Sequence, residues 1–139
     1  MTNINISDTT AHPLAKYSNH LEFNGYQIQE DEELLICRHS RKPNLIVRHV
    51  ADRGVLISTL YSCEPEVKRI NLLEYVNQLN SELIFIKAYI SEDEEETNLI
   101  METFFEGEYN RTNFSILLDN VDYDMDIFEQ NELTRKYLQ

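Results

Sequence analysis

The apolar positions of "NLLEYVNQLNSELIFIKAYI", Asn71 to Ile90, change period half-way. Leu72, Val76, Leu79 and Leu83 are spaced by four, three and four, one face of a 3.6-residue helix. Asn71 stands where a cap is expected, with Glu74 three residues on, the spacing of a capping box. From Leu83 to Ile90 the pattern alternates, so a strand is predicted. Ile84, Ile86, Ala88 and Ile90 then face one way and Phe85, Lys87 and Tyr89 the other. A helix joined so tightly to a strand packs back on the sheet that the strand enters.

The same reading extends along the chain. "HPLAKYSNHLEFN", from His12, predicts a helix with Pro13 in its first turn and Leu14, Tyr17 and Leu21 on one face, ended by Gly25. "YQIQEDEELLICRHS" carries an extended segment, a charged kink and a strand over about Leu34 to His39. "RKPN" is a turn, "LIVRHV" a second strand, "ADRG" a second turn with Gly54, and "VLISTLYS" a third strand. After the helix and the strand ending at Ile90, "SEDEEE" is an acidic turn and "TNLIMETFF" a fifth strand. From about Thr112, Phe114, Leu117, Leu118, Val121, Met125 and Phe128 recur at helical steps, and the pattern leaves open where that helix ends. The order is α-β-β-β-α-β-β-α. The class is α+β, an antiparallel sheet of about five strands with helices packed on it.

Composition narrows the function. At 139 residues and 42% apolar, the chain is most simply one domain, residues 1–139, with a core over 12–130 and a polar, disordered tail over 1–11. No apolar run approaches a membrane span, and "MTNINISDTT" has no apolar signal core, so a cytoplasmic protein is expected. Cys37 and Cys63 lie in apolar segments and read as free buried thiols. The net charge of -13 is lopsided. Residues 1–70 hold nine acids against eight Lys or Arg, and residues 71–139 hold sixteen against four. Such a charge disfavours nucleic acid and anionic membranes as partners.

The segment "LLEYVNQLNSEL" resembles the helix of the YbjN-type bacterial proteins, which share the fold of type III secretion chaperones; that helix reads as leucines followed by an LN.LN pattern. "IFIKAYI", the acidic turn and "NLIMETFF" follow it as they do in that family, and "FNGYQIQEDEELLICRH" is similar to its opening. The resemblance covers roughly residues 12 to 130. It implies a small, cytoplasmic, often dimeric, non-enzymatic protein, associated with chaperone-like protein binding and with regulation of signalling. It supplies no catalytic or ligand-binding residues.

Searching the residues for chemistry gives the same expectation of no enzyme, no cofactor and no metal. Three scattered glycines make no phosphate loop, and no Cys or His spacing suits zinc. His39 and His49 each follow an arginine on neighbouring strands, where they could meet or simply lie at the surface. Asp122, Asp124 and Asp126 resemble the start of a calcium loop but lack its glycine and distal glutamate, so a solvated acidic face is expected. Asp119 and Asp122 have no nucleophile beside them.

Two features point to partners. Arg38, Arg41, Lys42, Arg48 and Arg53 form a basic cluster on the first hairpin and the turn after it. They are a candidate landing site for an acidic segment, or plain edge and turn charge. In the last hairpin Ile84, Ile86, Ala88 and Ile90 share the core side with Leu99, Met101, Thr103 and Phe105. The opposite side carries Phe85, Lys87, Tyr89, Ile100, Glu102 and Phe104. Phe85, Tyr89, Ile100 and Phe104 are the candidate interface. The expected function is a protein-interaction module, a homodimer that binds a polypeptide as chaperone or regulator. The alternative is a small acidic immunity or inhibitor protein that blocks a basic partner.

Overall fold

In the computed structural model, residues 12–139 are described, and the tail expected over 1–11 lies outside them. The alternating segments pair in the order in which they occur. Helix α1 (Ala15–Phe23) leads into β1 (Gln27–Asp31), β2 (Leu34–Arg38), β3 (Leu45–Val50) and β4 (Gly54–Ser62). Helix α2 (Arg69–Glu82) carries the chain to β5 (Lys87–Glu92). Then β6 (Thr97–Glu106), α3 (Arg111–Gln130) and α4 (Glu132–Tyr137) follow. The sheet is antiparallel throughout, in the order β1-β2-β3-β4-β6-β5. Its spine is the long β4–β6 pair, in register from Gly54 opposite Glu106 to Ser62 opposite Asn98.

The α+β class holds, with six strands rather than five. The added strand is β1, "QIQED", the extended segment of the sequence reading. It is an edge strand on which only Ile28 is half-buried, so its apolar pattern is faint. The predicted stop of α1 is present. Gly25 has φ +94°, the Tyr26 N–H donates to the Leu21 carbonyl and the Gly25 N–H to that of Glu22, which is a Schellman ending. Gly54 is required for a different reason: a Cβ there would meet the Phe105 carbonyl oxygen of the adjacent strand.

All the helices pack on one face of the sheet. Leu14, just before α1, and Tyr17 and Leu21 of α1 pack with Leu35, Val47, Ile57 and Phe105. Leu72, Tyr75, Val76 and Leu79 of α2 pack with Ala88, Leu99 and Met101. Helix α3, about 30 Å long, spans both groups: Phe114 belongs to the first, and Val121, Met125 and Phe128 to the second. The C-terminal residues are no tail. The Asn131 side chain caps α4, Leu138 is buried beside Cys63, and the Gln139 N–H donates to the Ser62 carbonyl.

The joint between α2 and β5 departs from the alternating pattern. Helix α2 begins at Arg69, two residues before the expected cap, and has no side-chain cap. The strand begins at Lys87 rather than Leu83. Between them, the N–H groups of Ile84, Phe85 and Ile86 all turn onto the carboxylate of Asp124, at 3.1, 2.6 and 2.8 Å. Three successive amides aimed at one anion cannot lie in an extended strand, whose amides alternate in direction. Leu83 and Ile86 therefore stay buried, while Ile84, expected in the core, is 64% exposed. Asp124, expected on a solvated face, is fully buried. Asn80, the second asparagine of the LN.LN-like segment, completes the joint. Its side-chain amide accepts from the Ala88 N–H and donates to the Ala88 carbonyl, both at 2.9 Å, so it serves as a hydrogen-bonding neighbour for the free edge of β5.

Two substitutions test this packing. Leu79→Ala removes a fully buried side chain and is expected to cost about 2 to 5 kcal/mol in denaturant titration. Asp124→Ala strips three backbone donors of their charged acceptor and is expected to cost about 3 kcal/mol, with Asp124→Asn in between because one oxygen acceptor remains. An Asp124→Ala protein as stable as wild type would show that the joint does not depend on the carboxylate.

Candidate functional site

Among the described residues every helix lies on one side, and the other face of the sheet is bare. Its composition follows from the registers. Ser58, Glu102 and Lys87 lie in one row across β4, β6 and β5. The row on one side carries Arg48, Leu56 and Phe104; the row on the other carries Leu60, Ile100 and Tyr89. Ile36 and Ile46 extend the apolar ground towards β2. A polar line is thus bordered by apolar rows. Glu102 anchors that line: only 9% exposed, it accepts a hydrogen bond from the Ser58 hydroxyl at 3.1 Å and pairs with Lys87 at 3.6 Å. Burial and the Glu102 carboxylate together raise the Tyr89 phenol above its usual range.

The structure separates the four candidate interface residues. Tyr89 and Ile100 are directly paired and Phe104 lies on the same face. Phe85 is in the joint, where its ring meets Tyr123 of α3 edge-on at 6.3 Å. The five basic residues are also spread out. Arg38 and Arg48 project from the bare face, and Arg38 reaches Gln29. Lys42 turns to the helical side and pairs with Asp122 at 2.9 Å. Arg41 and Arg53 occupy turns at opposite ends of β3.

His39 and His49 do not meet. His39 lies in the β2–β3 turn, where its Nδ1 accepts from the Arg41 and Lys42 amides. His49 is at the other end of that hairpin, its amide bonded to the Glu33 carbonyl. The three aspartates diverge as helical geometry demands: Asp122 pairs with Lys42, Asp124 is buried, and Asp126 is exposed. No group of three metal-ligating side chains converges among the described residues. Burial raises both thiols, that of Cys37 to about 12.

One polar cluster was not foreseen. The His20 ring lies between the Tyr109 hydroxyl, 2.8 Å from Nδ1, and the Ser115 hydroxyl, 3.2 Å from Nε2. It is packed edge-on against Phe114. A serine beside a histidine suggests a nucleophile and its base. Here, however, a phenol stands where a carboxylate would orient the ring, and burial and Arg111 disfavour the imidazolium that a base must become. The trio clamps α1 to α3. His20 is 89 and 95 residues from its two partners, a distance that no local spacing reveals.

A family model described as "YbjN: Putative bacterial sensory transduction regulator" matches residues 14–129. The chain belongs to the YbjN family. Its fold is similar to the crystal structure of YbjN, a "putative transcription regulator" from E. coli, with a TM-score of 0.75 over 91% of this chain and 95% of that one. Identity to that protein is 12%, so the likeness is one of fold. No curated protein matches the sequence. The YbjN match starts at Leu14, the core residue that precedes α1, and ends one residue past Phe128, the last core residue of α3.

Two outcomes follow from the titrating groups. Because burial lowers the His20 pKa, the unfolded chain takes up a proton near the ordinary 6.5 that the native ring resists. The clamp's contribution is then complete above that pH and declines as pH falls below it. A melting temperature that drops from about pH 7.5 to 5.5, with a shallower drop in His20→Gln, is expected. Both cysteines should resist a thiol-specific disulfide reagent in the native protein and react only on unfolding.

Proposed function

We propose that this YbjN-family protein is a non-enzymatic cytoplasmic regulator that acts by binding polypeptides, and that it self-associates as a homodimer through the bare face of its sheet. The observation that supports this most is the one-sided sheet. Leu56, Leu60, Ile100, Tyr89 and Phe104 border the buried Glu102 on a face that no helix covers among the described residues. A second copy turned by a two-fold axis would cover these rows and place each Lys87–Glu102 pair against the apolar rim of the other. The family description and the E. coli relative both speak of regulation. A net charge of -13 favours regulation through protein contacts over direct binding to DNA.

Like charge opposes the dimer and apolar burial favours it. Added salt screens the first and leaves the second, so the dimer should tighten as salt rises. Light scattering at tens of micromolar should give a dimer mass, and Tyr89→Asp with Phe104→Asp should give a folded monomer. A monomer at both low and high salt would rule out self-association. A dimer indifferent to the double change would exclude this face.

A further inference from the structure

The opposite side of the molecule carries a second apolar feature. Ile84 and Phe85, on the loop between α2 and β5, and Tyr123, on α3, are 64%, 42% and 55% exposed. The three amide bonds to Asp124 hold the backbone of Ile84 and Phe85, and the Phe85 and Tyr123 rings brace each other edge-on at 82°. Large side chains held in place before binding lose little freedom on contact, and aromatic anchors of this kind concentrate binding energy. Along α3, Ile116 continues the stripe seven residues before Tyr123, two helical turns away, and is half-exposed.

The α3 flank of this knob is mainly acidic, with Lys42 beside Asp119 and Asp122, and Arg135 and Lys136 beside Asp126, at its margins. Asp119 and Asp126 stand one turn to either side of Tyr123, and neither belongs to an ion pair among the described residues. Glu82, at the end of α2, accepts a hydrogen bond from the Asn131 side-chain amide and belongs to no ion pair among the described residues. Between Arg111 and Arg135 the sequence has no Lys or Arg. A second copy brought to this face would set these carboxylates against their own images, and an anionic lipid or nucleic acid would be repelled.

We infer that the Ile84–Phe85–Tyr123 knob and its acidic rim form a docking surface for a cationic amphipathic helix of a partner protein. Its apolar face would cover the rings and its Lys or Arg would meet Asp119, Asp126 and Glu82. This rests on the reading that the chain binds polypeptides and gives that partner a charge and a shape.

Two designed helical peptides with the same leucine face test it, one with Lys at its polar positions and one with Glu. Amide chemical shifts of the full chain are followed as each is added. The Lys peptide is expected to bind, to shift Ile84, Phe85 and Tyr123, and to weaken as salt is raised. Phe85→Ser with Tyr123→Ser should weaken it about tenfold or more. Asp119→Asn with Asp126→Asn should flatten the salt dependence. All four positions are exposed, and circular dichroism verifies that the variants fold. Equal binding of both peptides, no binding of the Lys peptide, or shifts confined to the bare sheet face would overturn the assignment. Loss of a dimer in the Phe85/Tyr123 variant without peptide would give this face to a second copy and overturn it as well. Self-association is read separately at Tyr89 and Phe104, so either result can fail without the other.

Discussion

Asp124 is the constraint on which the rest of the arrangement depends. A fully buried carboxylate must be compensated, and here the compensation comes from three consecutive backbone amides of a different segment. Because Asp124 lies on α3 and the amides lie between α2 and β5, one group of bonds fixes three elements relative to each other. It ends α2, delays β5 until Lys87 and sets the height at which α3 crosses the sheet. Val121, Met125 and Phe128 reach the α2 core from that position. The same turn that satisfies Asp124 pushes Ile84 and Phe85 outward, so the exposed knob is a direct consequence of the buried charge.

A second asymmetry runs through the whole molecule. The sheet has a dry side, where α1, α2 and α3 cover Leu35, Val47, Ile57, Leu99 and Met101, and a bare side divided by the Ser58–Glu102–Lys87 line. That line keeps the bare side from being one continuous apolar sheet. A charged pair in the middle of such a face discourages indiscriminate association and still leaves apolar rows for a matched surface. Helix α3 adds the exposed acids Asp119, Asp126 and Glu129 to the helical side. The two faces therefore differ in both chemistry and charge, which is the arrangement expected of a protein with more than one kind of contact.

Much of this was legible in the sequence because it rests on periodicity. The faces of α1 and α2, the β2–β3–β4 meander, the stop at Gly25 and the inward set of Leu99, Met101 and Phe105 all follow from local spacing. So did the family, through the segment containing Asn80, although only the structure explains that residue: it completes the edge of β5. The misreadings share one cause. Ile84 fits an alternating strand, and Asp124 fits an acidic helical face, as long as each is considered alone. Their meeting across about forty residues reverses both assignments. Phe85 was expected beside Tyr89 for the same reason. The edge strand β1 stayed faint because a strand polar on both faces has no apolar period, and the His20 clamp because its partners lie far along the chain.

Native-state hydrogen exchange measures the central claim directly. Ile84 and Phe85 lie at the surface, and neither belongs to a helix or strand. If Asp124 holds the joint, the amides of Ile84, Phe85 and Ile86 exchange slowly, with protection approaching that of the α2 core. Exchange of all three at the rate of an open loop, such as the acidic turn around Glu94, would contradict the account.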